Sequence, residues 1–131
     1  MKFLLVSTAA LESLTGIALL LAPSPIAGLL LGATLDAPAA AVVARIAGAA
    51  LLSLGAACWL LRNYGTSPAG QGLAVALTLY NVAAVLVLTY AGAALGLSGI
   101  LLWPAVVLHA ALTMWCVACL REAAAGTAAR V

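Results

Sequence analysis

Four long apolar stretches alternate along the chain with short segments rich in glycine, proline, serine and asparagine. The first, residues 3–22, ends where Pro23–Ser24–Pro25 begins, since proline lacks an amide N–H and its ring clashes with the preceding turn. The second, residues 39–61, follows Asp36 and Pro38, which read as an N-cap and a first-turn proline. The third, about residues 70–91, follows a turn-rich segment, and Ser67–Pro68 offers its start. The fourth, about 98–120, carries Pro104 near its beginning. Either that helix starts late or its first turn is kinked.

At 1.5 Å per residue, a helix over 39–61 is roughly 34 Å long, enough to cross a hydrocarbon core of about 30 Å. Ile26 to Leu35 is apolar but too short to span. A short helix in the interface is expected there, with a buried re-entrant segment as the alternative. Residues 121–131 are small and polar and are expected to fray. The pattern predicts an all-α fold: one integral membrane domain, residues 1–131, built as an up-down four-helix bundle with a short interfacial segment between the first two spans.

Composition agrees with this. The 131 residues are 67% hydrophobic and 6% charged, whereas a soluble domain is about a quarter charged. A net charge of +2 with no basic run gives no footprint for nucleic acid. The start, with Lys2, a short apolar run and then Glu12, reads as a first span rather than a cleaved signal. Lys2, Arg62, Arg121 and Arg130 fall on one side of a four-span chain and Asp36 on the other. The positive side faces the cytoplasm, so a multi-pass inner-membrane protein with both termini cytoplasmic is expected. Trp59 and Tyr64 lie near the inner boundary, Tyr90 and Trp103 near the outer one.

Each span carries one strongly polar residue. Glu12 lies roughly 13 Å from the inner end of its helix, Asn81 roughly 15 Å from the same side, and His109 roughly 16 Å from the outside. Arg45 lies roughly 9 Å from the outer end of the second span. A guanidinium at that depth costs at least ~2.5 kcal/mol and cannot lose its proton. Helical spacing puts Thr8, Glu12, Thr15 and Gly16 on one face, and Arg45, Gly48 and Leu52 on another. It does the same for Thr78 with Asn81, and for His109 with Thr113 and Cys116. Small and polar residues mark the sides that face other helices. An interior cluster of Glu12, Arg45, Asn81 and His109 is therefore expected, with Tyr80 or Tyr90 beside it. Such a cluster either fixes which helices meet, at ~0.6–2 kcal/mol per hydrogen bond, or holds a ligand or a proton.

Cys116 and Cys119 form a C-x-x-C, but at the C-terminal end of a helix rather than at the N-terminal end that lowers a thiol pKa. With Cys58 they read as small packing residues, with a soft-metal site as the minor alternative. No metal-ligand, phosphate-loop or nucleophile motif is present, so no cofactor, metal or catalytic residue is assigned.

The layout of Glu12 and Gly16, the Pro23 turn, Arg45–x–x–Gly48 with Gly55 and Trp59, Tyr80–Asn81, and Leu102–Trp103–Pro104 with His109 resembles small bacterial four-span proteins of the DoxX-like group. The arginine usual early in the first DoxX helix is missing. The resemblance implies an inner-membrane protein and carries over no catalytic residue.

Three functions follow. In the first, the polar core binds a lipophilic molecule or relays a proton between Glu12 and His109, with the Glu12–Arg45 pair as a proton-sensitive switch. In the second, the chain is a non-catalytic accessory subunit, or a homo-oligomer, held to its partners by small-residue stripes. In the third, which lacks a nucleophile or metal set, Glu12 and His109 serve an enzyme as acid and base. A small multidrug-type exporter, which also has a glutamate in its first span, is the transport alternative.

Overall fold

The structure, a computed structural model, describes residues 1–128, with side chains to Gly126. Arg130, counted above among the positive residues of one side, lies outside the described residues. The described residues form five helices: α1 (Lys2–Leu21), α2 (Pro23–Leu31), α3 (Pro38–Leu61), α4 (Pro68–Ala93) and α5 (Leu102–Ala128). Among the described residues four of them, all except α2, are long and apolar enough to cross a membrane. The fold is an all-α four-helix bundle with α2 as an added short element.

Proline sets most of the boundaries. Pro23, Pro38 and Pro68 each open a helix in its first turn, where the missing N–H has no partner to lose. Ser67 caps α4 as expected, its hydroxyl accepting from the Gly70 amide at 3.1 Å. Asp36 does not cap α3: the N-cap is Ala37, and Asp36 instead accepts a hydrogen bond from the Thr34 hydroxyl at 2.7 Å. Pro104 is the third residue of α5, so that helix starts late, at Leu102 rather than 98. The expected fraying after residue 120 is not seen over residues 121–128, where α5 continues through Glu122 and its alanines to Ala128; residues 129–131 lie outside the described residues. Alanine is the strongest helix former, which accounts for the extension.

The helices pack as two close antiparallel pairs, α1 with α3 and α4 with α5. The first pair meets at glycine. A Cβ on Gly16 would stand 2.6 Å from the Gly48 carbonyl oxygen, and one on Gly48 would stand 2.8 Å from that of Gly16. One α-helical stretch further along, Gly55 lies against Ala9 and Ser13. Backbones this close gain van der Waals contact that lipid cannot match.

The two pairs are joined mainly at one end. Leu4, Leu5 and Ala9 of α1, Cys58 of α3, Leu77 of α4, and Leu112, Cys116 and Cys119 of α5 form a buried apolar cluster there. All three cysteines are free and buried in it, as packing residues. The Met1 side chain reaches Gly65 in the α3–α4 connection, so the N-terminus and that loop share one side. At the opposite end α2 docks on the α4–α5 connection. The Leu29 and Leu31 carbonyls accept from the amides of Leu101 (2.9 Å) and Ser98 (3.2 Å). Gly32 ends α2 with a φ of +70°, where its N–H reaches back to Gly28. The segment expected over Ile26 to Leu35 is thus a helix that starts three residues earlier and is pinned to the bundle.

Substituting Gly48 with valine should therefore separate α1 from α3 and lower stability by about 1–3 kcal/mol. Gly72→Ala, in open space within α4, should change stability by no more than about 1 kcal/mol, in the favourable direction. Unfolding titrations of the two variants in detergent check this, and equal midpoints would contradict the close-packed seam.

Candidate functional site

The polar residues of α1, α4 and α5 do meet. Glu12 is 4% exposed and Asn81 1%, while Tyr80 and His109 are half-buried. His109 Nδ1 lies 2.7 Å from Asn81 Oδ1, and Asn81 Nδ2 donates to the Leu77 carbonyl at 2.7 Å. That second bond leaves the Asn81 oxygen as acceptor, so the network assigns the proton of the neutral imidazole to Nδ1 and a lone pair to Nε2. The Tyr80 ring meets the imidazole edge-on, with centroids 5.6 Å apart and planes at 84°. Its hydroxyl donates to Glu12 Oε2 at 3.5 Å, too long for a strong O–H···O bond. Tyr80 thus links the α1–α3 pair to the α4–α5 pair.

The two halves of this arrangement differ. Asn81 and His109 are held by short bonds, and the hydroxyls of Thr78 and Thr113 are occupied by carbonyls of their own helices. Glu12 Oε1 and His109 Nε2, by contrast, have no hydrogen-bond partner among the described residues. No buried side-chain nitrogen or oxygen there is left without one. Both atoms therefore border open space rather than being sealed by packed side chains. A carboxyl and an imidazole lone pair, with a phenol between, can together accept, donate and exchange protons with a molecule that reaches them.

Arg45 is not part of the cluster. It is exposed, and its Nε donates to the Leu20 carbonyl at 3.2 Å. The reason is register. Gly55 lies beside Ala9 and Gly48 beside Gly16, so this antiparallel pairing carries Arg45 to the level of Leu20. That is about two helical turns, ~12 Å, beyond Glu12. Because Pro23 follows so closely, the carbonyls of the last turn of α1 lack helical donors, and the guanidinium supplies one of them. Tyr90 is also elsewhere, 60% exposed and two to three turns along α4 from Tyr80. Of the expected residues, Glu12, Tyr80, Asn81 and His109 come together, whereas Arg45 and Tyr90 do not. Among the described residues no group of three or more metal-ligating side chains converges.

Sequence reasoning missed a second feature, an apolar cleft of about 520 Å³ between α1, α2 and α3. Its walls include Leu19, Ile26, Leu30, Val43 and Ala47, and its polar member is Thr15, one turn along α1 from Glu12. The alanines at 40, 44 and 47 were a signal, since small side chains at helical spacing leave room beside a neighbouring element.

Compared with known protein families, curated proteins and solved structures, the chain matches none.

A double-mutant cycle with Asn81→Ala and His109→Ala should give a coupling of about 0.6–1.7 kcal/mol, the range of side-chain hydrogen bonds between membrane helices. Additive losses in unfolding free energy would contradict a direct bond between them.

Proposed function

We propose that this is a multi-pass inner-membrane protein whose polar core binds a lipophilic molecule. The carboxyl of Glu12, the hydroxyl of Tyr80 and the Nε2 of His109 engage its polar, proton-exchanging group. Asn81 holds the imidazole in place rather than touching the ligand. The observation that carries this reading is the state of Glu12. It is a buried carboxyl in a membrane span, with one long hydrogen bond, an unpaired second oxygen and no basic side chain bonded to it among the described residues. A carboxyl serving only to join helices would have both oxygens held by short bonds, as both polar atoms of Asn81 are. Ionisable groups kept within a span at such expense mark binding sites and proton paths.

The distribution of Lys2, Arg62 and Arg121 supports cytoplasmic termini. Arg62 is shaped for that boundary. Its guanidinium stacks 4.1 Å above the Trp59 ring and donates to the Trp59 carbonyl at 2.6 Å. The likeness in layout to DoxX-like proteins supports a bacterial inner membrane as the location.

Dicyclohexylcarbodiimide, which dissolves in lipid and adds to carboxyl groups, tests access to the site. In reconstituted vesicles it should modify Glu12, and Glu12→Gln should abolish that adduct in peptide mass spectra. A water-soluble carbodiimide should reach Asp36 and Glu122 instead. An unmodified Glu12 in folded wild-type protein would reject a binding site open to lipophilic molecules.

A further inference from the structure

We propose that the flank of the α1–α3 pair carries a phospholipid site distinct from the polar core, with Arg45 receiving the phosphate and the apolar cleft receiving an acyl chain. The guanidinium has five N–H donors in a planar fork. One, on Nε, is fixed on the Leu20 carbonyl, which leaves the four on Nη1 and Nη2 without a protein acceptor among the described residues. The side chain is exposed and starts about 10 Å along α3 from Pro38, within reach of the headgroup layer for a long side chain. A permanent cation there needs an anionic oxygen, and phosphate matches the fork in two parallel bonds.

The cleft lies beside it. Leu19 and Ala44, the chain neighbours of the two residues joined by that hydrogen bond, both line the cleft. Its volume of about 520 Å³ falls in the range of small-molecule sites. Its lining offers a ligand one hydroxyl, that of Thr15, and otherwise only hydrocarbon. It is therefore built for an alkyl chain rather than a polar solute. A charge that demands phosphate next to a slot that accepts only hydrocarbon describes the two ends of a glycerophospholipid. Charge complementarity singles out an anionic one.

Native mass spectrometry of delipidated protein, titrated with phosphatidylglycerol, tests this. The wild type should bind phosphatidylglycerol in preference to diacylglycerol, which lacks the phosphate. Arg45→Gln should weaken phosphatidylglycerol binding about tenfold or more, as expected for losing charge-assisted hydrogen bonds. Ala47→Phe, at an exposed position on the cleft wall, should weaken it comparably by filling the cleft. This variant carries the test if the arginine variant does not fold. Millimolar inorganic phosphate should leave the bound lipid in place. Unchanged lipid binding in folded variants, equal binding of diacylglycerol, or displacement by inorganic phosphate would each overturn the proposal. Displacement would identify free phosphate as the ligand.

Discussion

Hydrocarbon offers no hydrogen bonds, and every polar group within the four spans must find its partner in the protein. That constraint sorts the side chains of this small bundle. Thr78, Thr113 and Asn81 turn to carbonyls of their own helices. His109 turns to Asn81, and Arg45 turns to a carbonyl at the end of α1. Glu12, buried as deeply as its neighbours, is held by nothing shorter than 3.5 Å. The proposed function follows from that inequality, since a group kept in oil without saturation is suited to a partner that comes and goes.

The backbone seam between α1 and α3 makes the arrangement possible. Glycine at 16, 48 and 55 lets the two helices touch along their length, and this contact fixes the register that carries Arg45 away from Glu12. The α4–α5 pair then contributes Tyr80, Asn81 and His109 as one preassembled surface. The apolar cluster of leucines and cysteines clamps the pairs together at the end nearer Met1. At the other end α2 and the α4–α5 connection brace each other through backbone bonds. The cleft opens between α2 and the α1–α3 pair because alanines, rather than leucines, face it from α3.

Much of this was legible in the chain. The four spans follow from apolar length, and the starts of α3 and α4 follow from Pro38, Ser67 and Pro68. The inward faces of α1, α4 and α5 follow from helical spacing, which places Thr8, Glu12 and Gly16 together and brings Asn81 toward His109. Arg45 was misplaced for a definable reason. Depth alone left it within a long side chain's reach of Glu12, and only the seam register decides against that pairing. The free carbonyl at Leu20 is a tertiary consequence of Pro23, and nothing in local spacing says which side chain will reach it. Asp36 resembled a cap by residue type, but Thr34 competed for its carboxylate. Tyr90 lies on the lipid side of a helix that is apolar nearly all round, where sequence gives little sense of direction. The cleft is a property of three elements at once, and the small alanines of α3 are its one trace in the linear sequence.

A density map at atomic detail, from protein extracted gently from its own membrane, would test the central claim most directly. The account predicts non-protein density within about 3.2 Å of Glu12, on the side shared with His109 Nε2. It also predicts that the Arg45 guanidinium lies at the C-terminal end of α1. A Glu12 carboxylate with both oxygens bonded by protein side chains, above all in an ion pair with Arg45, would contradict it.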